Sequence, residues 1–403
     1  MAERIHVAII GGGQAGLATS HELTRLGVEH VILERSRVGQ SWRDRWDSFC
    51  LVTPNWSVQL PGHRYRDNDP DGYMHRDEIV DYLEGYAASF GAPVREEVEV
   101  TKLELADAGW TLQTSNGEVQ ARAVVVATGA FQRAHRPSAW ESLPSSLLQI
   151  DVEDYRNPGA LPAGRVLVIG SGQSGCQIAE DLVQGGREVV LACGRAPWLP
   201  RRVGQRDIFW WLTESGFMDV PLAALPTPAE RLTANPQLTG SHGGHDLNFR
   251  TLRAQGVTLV GHFRGARDHV AQFAPDLSES VAFGDQAFRE FGGLIRGLAG
   301  DLGLSLDDLE EPAPFEAKGP ETVDLVGFGA VIFAGGFRPE YGSWVQAPGA
   351  FDALGFPIQS DDGRGIMPGL HFVGVHFLRK RKSSLLAGVG EDASVVVRQI
   401  VSA

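Results

Sequence analysis

Two short runs carry the residues most able to do chemistry. Gly11-Gly12-Gly13-Gln14-Ala15-Gly16 and Gly170-Ser171-Gly172-Gln173-Ser174-Gly175 repeat one Gly-x-Gly-x-x-Gly pattern, 159 positions apart (170 − 11). Each follows an aliphatic run, Ile5–Ile10 or Val166–Ile169, and opens a helix-like stretch, Gln14–Leu26 or Gln173–Val183. In that context the glycines permit a tight turn, close approach of the backbone to a pyrophosphate, and close packing of helix on strand. The helix N-terminus behind them offers unpaired N–H groups to the anion. Twenty-three residues on (34 − 11 and 193 − 170), the two copies diverge: the first has Glu34, the second Cys193 followed by Gly194-Arg195. An acid there accepts from a ribose 2′-hydroxyl and repels a 2′-phosphate, so the first half suits FAD or NAD. Arg195, with Arg201 and Arg202 nearby, is placed to fork onto a 2′-phosphate, so the second half suits NADP(H). The competing account is one live site and one decayed copy, but decay would erode glycines or strand, and neither copy is eroded. A chain holding two dinucleotides usually passes a hydride between them.

Other clusters are weaker. Val124-Val125-Val126-Ala127-Thr128-Gly129 and Val331-Ile332-Phe333-Ala334-Gly335-Gly336 are strands ending in small residues, which let a backbone pass close to a cofactor. Gly388 and Gly390, near the start of a final helix expected from about Leu385 to Ile400, permit close approach to a ring system, and Leu385 and Leu386 are placed with the first cofactor. His242 and His245 beside Asp246 lack further ligands and read as loop residues, so no metal is expected. Arg379-Lys380-Arg381-Lys382 reads as a solvated face with one member able to reach flavin or phosphate; His376 reads as a packed histidine. Cys50, Cys176 and Cys193 are not spaced as a redox dithiol or a disulfide framework, and Cys176 reads as packing.

The elements that must position these groups follow from periodicity. A helix is expected over Asp77–Tyr86, with Ile79, Tyr82, Leu83 and Tyr86 on one face, and another over Phe288–Leu302. Val98–Leu105 and Gly109–Thr114 read as a β-meander with a turn at Asn116-Gly117. Gly256–His262 and His269–Phe273 are expected to pair as strands, Leu370–Val375 to form a buried strand, and the Pro/Gly-rich 155–164 to form the hinge. Among 403 residues, 43% are hydrophobic and 21% charged, ordinary for a globular protein of about two domains. A net charge of −14 argues against nucleic-acid binding. No run approaches a membrane span, and the N-terminus enters a strand without a cleavable signal pattern, so a cytoplasmic protein is expected. A homodimer stays open.

The paired fingerprints, Gly39-Gln40-Ser41-Trp42, the two strand-end turns and Gly335-Gly336-Phe337-Arg338-Pro339 together resemble the flavin-containing monooxygenases, among the class B flavoprotein monooxygenases. The resemblance covers most of the chain and is thin over 201–325. It implies an α/β fold of two Rossmann-like dinucleotide-binding domains of three-layer ββα type, with the NADPH domain (156–327, insertion 201–325) inserted into an FAD domain (1–155 and 328–403). It implies FAD held by Gly11, Gly13, Gln14, Ala15, Gly16, Glu34, Arg35, Gln40, Ser41, Trp42, Ala127, Thr128 and Gly129, and NADPH held by Gly170, Gly172, Gln173, Ser174, Gly175 and Arg195. Gly335, Leu385 and Leu386 join the cofactor contacts; Asn55 and Trp56 fall where the family puts residues beside the flavin. The implied reaction takes O2 and a small-molecule substrate: oxygen adds to flavin carbon 4a and one atom passes to a soft nitrogen or sulfur centre. Baeyer–Villiger oxidation, a simple oxidase or reductase, and a redox-responsive protein without turnover remain alternatives. The family's Phe-x-Gly-x-x-x-His-x-x-x-Tyr/Trp signature is broken: Tyr155 supplies the last aromatic, Asp151 stands at the His, and Phe-x-Gly is missing.

Overall fold

Alternation along the first strand decides the first lobe. In a computed structural model describing residues 3–107, 109–306 and 309–402, Val7 and Ile9 of the strand Glu3–Ile10 face one layer, and Ala8 and Ile10 face the other. The first layer is helical: Gln14–Arg25, Arg76–Ser89 and the C-terminal Val389–Ser402 pack there. The second layer carries Tyr341, Phe356 and Leu378 from the chain's return. Glu3–Ile10 lies parallel to His30–Leu33 on one side and to Gly117–Val126 on the other. The expected meander is present as Val100–Ala106, Gly109–Thr114 and Gly117–Val126, and its long last strand runs on into the parallel sheet. Leu370–Phe372 adds in parallel beside Gly117–Val126, giving an eight-stranded sheet.

The second lobe repeats the plan. Leu148–Asp151, Phe328–Phe333, Arg165–Ile169, Val189–Ala192 and Thr258–Val260 form, in that order, a five-stranded sheet whose pairings are all parallel. Val166 and Val168 face the helix Gln173–Gln184, while Leu167 and Ile169 face a three-stranded antiparallel sheet of Phe263–Arg267, Val270–Phe273 and Thr322–Asp324. Each fully buried Val, Leu or Ile contributes about 1.5–3 kcal/mol, so these two-sided aliphatic strands anchor both lobes.

Several expectations shift. Leu148–Asp151 and Phe328–Phe333 belong to the second sheet, so the chain leaves the first lobe before 148 and returns after 333, not at 155 and 327. The Pro/Gly stretch 155–164 therefore joins two strands of one sheet and is not the crossing. The crossings run together elsewhere: Arg133–Ala134 pairs antiparallel with Phe337–Arg338. Gly256–His262 and His269–Phe273 do not pair. Thr258–Val260 joins the parallel sheet, and Val270–Phe273 takes Phe263–Arg267 as its hairpin partner. The helix expected from Phe288 begins at Leu277, and the C-terminal helix begins at Val389. Gly284 does not break the former; a Cβ there would lie 2.9 Å from Trp198, so glycine is what lets the helix approach. Among the described residues no helix is long and apolar enough to cross a membrane.

Candidate active site

The two fingerprints superimpose in their internal logic. Gly11 turns with φ +108°, and a Cβ there would stand 2.9 Å from the Ala127 carbonyl oxygen; Gly170 turns with φ +112°, 2.4 Å from that of Ala334. Cβ atoms at Gly16 and Gly175 would collide with the Gly11 and Gly170 carbonyl oxygens at 1.9 and 2.0 Å. The strand ends are tied alike: Ala127 N–H donates to Ile10 and Ala334 N–H to Ile169. The middle glycines differ from these. Gly13 (φ −85°, ψ −172°) and Gly172 (φ −65°, ψ −176°) hold extended backbone open to any residue. Nothing lies within 4 Å of a Cβ at Gly13, and at Gly172 the nearest atom is Ala234 Cβ at 3.7 Å. No internal contact requires glycine at either place. Each stands at the N-cap of a helix whose first turn receives no side-chain cap, the geometry of an anion cradle that a Cβ would fill. The chain's own residues thus fit a dinucleotide in both lobes.

Beyond each turn the copies part. The buried Glu34 carboxylate accepts from Gly12 N–H (2.6 Å) and Ser36 N–H (2.9 Å), which holds it at the end of its strand. In the second copy Cys193 is buried, and the bridge is made from the other side: Gly194 N–H donates to Ser171 Oγ at 2.8 Å. Burial pushes the Cys176 and Cys193 thiols up, so neither is a thiolate. Arg195 is exposed. Arg201 and Arg202 do not stand with it. Arg201 is buried, pairing with Asp207 at 2.5 Å and lying over Tyr73; Arg202 donates to the carbonyls of Gly243 and Gly244. Sequence reasoning missed the segment Pro236-Gln237-Leu238, which closes over the second turn by accepting from Gln173 and Gln177 and donating from Gln237 to Ser171. The signal was present as two glutamines one helical turn apart.

Around the first fingerprint, Gln14 joins three separate stretches. Its Oε1 accepts from Trp42 Nε1 (2.7 Å) and its Nε2 donates to the Ser384 carbonyl (2.9 Å), just before Leu385 and Leu386. Gln40 is spent on Asp44, Ser41 and Arg35 are exposed, and Ala15 is buried beneath the turn. Thr128 and Gly129 lie at the strand end, with Gln132 and Tyr341 bonded to them. Gly335 has a different role from the one expected: a Cβ there would meet the His135 carbonyl at 2.4 Å, where the two crossings touch, so its smallness serves the crossing. Asn55 is tied into the fold at both ends of its amide. Its amide donates to Asp69 O and accepts from Met74 N–H, clipping a loop at the edge of the cleft that Asn55 lines. Trp56 is 37% exposed and leans on Phe209, a wall residue. In the second lobe Ser174 is half-buried in the first helical turn.

The broken signature has an internal account. Asp151 holds Arg136 through two bonds of 2.8 and 2.7 Å, and that guanidinium lies over Trp140 and Phe333. Tyr155 is fully buried and donates to Asp181 at 2.5 Å; burial and that carboxylate hold its hydroxyl protonated. Asp181 also accepts from Ser48 of the first lobe, so one carboxylate clamps both lobes. A cleft of about 420 Å³ opens beside this clamp, lined by Trp46, Ser48, His75 and Glu180 among others. The 379–382 run is not a solvated face: Arg379 pairs with buried Asp392, and Lys380 and Lys382 with Asp219 and Glu391. His245 is held by Glu180, and His242 by Gln184.

Comparison with known proteins matches this architecture. The family model described as pyridine nucleotide-disulphide oxidoreductase matches residues 8–208, spanning both fingerprints. An uncharacterized CzcO-like oxidoreductase of Geobacillus kaustophilus is 31% identical over 99% of both chains. An indole-3-pyruvate monooxygenase of Oryza sativa subsp. japonica is 32% identical over 44% of this chain and 45% of its own. A flavin-containing monooxygenase structure from Stenotrophomonas maltophilia covers 99% of both chains at 21% identity and a TM-score of 0.69. The chain belongs to the family of the CzcO-like oxidoreductases. It is an oxidoreductase, and the proteins it resembles include flavin-containing monooxygenases and pyridine nucleotide oxidoreductases. It departs from the flavin-containing monooxygenase signature at Asp151, which pairs with Arg136 instead.

Proposed function

We propose that this chain is an FAD- and NADPH-dependent monooxygenase that places one atom of O2 on a soft nitrogen or sulfur centre of a small molecule. The observation that carries the reading is the pair of glycines, Gly13 and Gly172, whose lack of a side chain has no cause inside the protein. In this reading the lobe with Glu34 binds FAD. Glu34 takes the adenosine ribose, and the N–H groups opening Gln14–Arg25 take the pyrophosphate. The lobe with Arg195 binds NADPH, with Arg195 on the 2′-phosphate and no acid to repel it. Once bound, the nicotinamide supplies a hydride and the reduced flavin activates oxygen. The chain's own task is position and dryness. Gln14 fixes Trp42 and the Ser384–Leu385 turn around the first cofactor, and the aromatic cluster of Trp198, Phe209, Trp211 and Phe288 packs against Leu385 and Ala387 to exclude water there.

The test is a screen of amines, sulfides and ketones for stimulated NADPH oxidation under labelled oxygen. One labelled atom on an amine or sulfide product supports the reading. An ester from a ketone replaces it with Baeyer–Villiger chemistry. Stoichiometric hydrogen peroxide with every substrate makes the protein an oxidase.

A further inference from the structure

The basic run 379–382 has three members with carboxylate partners and one without. Among the described residues, Arg381 makes no side-chain hydrogen bond or ion pair, and its Nε is buried without a partner. Its guanidinium is sandwiched instead, 4.1 Å from the ring centre of Phe217 and 4.6 Å from that of Phe377. Desolvation alone lowers its pKa, to about 10, so it remains a cation at neutral pH. The sandwich is built at a cost: Phe377 sits at φ +54°, a left-handed conformation rare for a bulky residue, kept there by its N–H to the Lys380 carbonyl. The neighbours Lys380 and Lys382 pair with Asp219 and Glu391, and Arg379 with Asp392, and none of these acids forms an ion pair with Arg381.

Its place in the fold gives the vacancy meaning. Arg381 lies three residues before Ser384, whose carbonyl is held by Gln14 of the first fingerprint. Phe217 in turn meets Phe291 of the helix Leu277–Leu302 edge-on, and both pack, as Leu385 and Ala387 do, on the buried aromatic cluster of the insertion. The lone guanidinium thus stands between the first cofactor turn and the aromatic wall of the insertion. Planar forks of this kind recognise carboxylates bidentately, and flanking rings hold the fork flat.

We infer that Arg381 receives the carboxylate of the molecule this enzyme oxidises, and that its substrates are carboxylic acids with an apolar or aromatic body. This rests on the monooxygenase reading above, which assigns the adjoining turn to the flavin. The test uses the full-length protein as purified, with intrinsic tryptophan fluorescence reporting the binding of 3-phenylpropionate and of its neutral amide, 3-phenylpropanamide. We expect the acid to bind the parent protein about tenfold or more tightly than the amide, Arg381→Gln to abolish that preference, and Arg381→Lys to restore part of it. Equal affinities, or no binding of either compound, in the parent protein overturn the inference without any variant needing to fold. Loss of NADP⁺ affinity in Arg381→Gln with the acid preference intact overturns it too, by making the residue a nucleotide ligand. Because the readout needs no turnover, a protein that binds the acid through Arg381 yet never oxidises NADPH would sink the monooxygenase reading alone.

Discussion

At the scale of single residues, the glycines separate what the fold needs from what a ligand needs. Gly16→Ala must push a methyl into the Gly11 carbonyl at 1.9 Å, so the protein itself should lose about 1–3 kcal/mol and melt earlier with or without flavin. Gly13→Ala meets nothing. The flavin-free protein should keep its stability within about 0.5 kcal/mol, while flavin retention, read from visible absorbance after dialysis, falls sharply. Equal melting losses for the two variants would mean that Gly13 serves the fold as well. Arg195 offers the matching experiment in the other lobe. It is exposed and free of Arg201 and Arg202. Arg195→Ala should weaken NADPH by about 1.5–3 kcal/mol, the worth of a charge-assisted contact, and leave NADH nearly unchanged; steady-state NADPH and NADH titrations compare the two.

At the scale of elements, the Asp181 clamp makes a prediction of its own. Tyr155→Phe removes one hydrogen bond and should cost about 1 kcal/mol, whereas Asp181→Ala strands a buried phenol and should cost about 1–3 kcal/mol. The double variant should cost less than their sum, measured by denaturant unfolding; strict additivity would deny that the two share one interaction. The same scale shows why some of the chain was readable. The first fingerprint helix was expected over Gln14–Leu26 and spans Gln14–Arg25, because aliphatic strand, glycine turn and leucine spacing all agree there. The insertion was opaque for physical reasons. Thr258–Val260 is three residues long and takes its identity from the neighbouring strand Val189–Ala192 rather than from its own pattern. Prolines and glycines at 155–164 look like a hinge, yet such residues also make the tight link between two strands of one sheet. Of the site, the two glycine turns and the strand-end position of Glu34 were legible, and the Gln14–Trp42 bond was not. The loop-clipping amide of Asn55, the pairing of Arg201 with Asp207 over Tyr73 and the lone state of Arg381 are set by tertiary packing, which no local pattern announces.

At the scale of the whole molecule, buried histidines weaken the fold as pH falls. His376 lies stacked on Phe131 and edge-on to Phe356, its Nε2 at 3.2 Å from the Arg231 carbonyl; burial lowers its pKa to about 4. A histidine free in the unfolded chain titrates near 6.5. As pH falls below that value the unfolded state takes up a proton that the folded state refuses, so stability drops until about pH 4. By pH 5 the loss from this one group is on the order of 2 kcal/mol. His371 is shifted the same way by burial. His376→Phe should therefore flatten part of the fall in melting temperature between pH 7 and pH 5; an unchanged slope would place the acid sensitivity elsewhere. Because Arg133–Ala134 and Phe337–Arg338 are bonded side by side, with Gly335 pressed against His135, the two halves of the molecule share one axle in place of two independent tethers. A chain nicked by protease at one crossing should therefore still migrate as an intact particle until a denaturant unzips the ribbon.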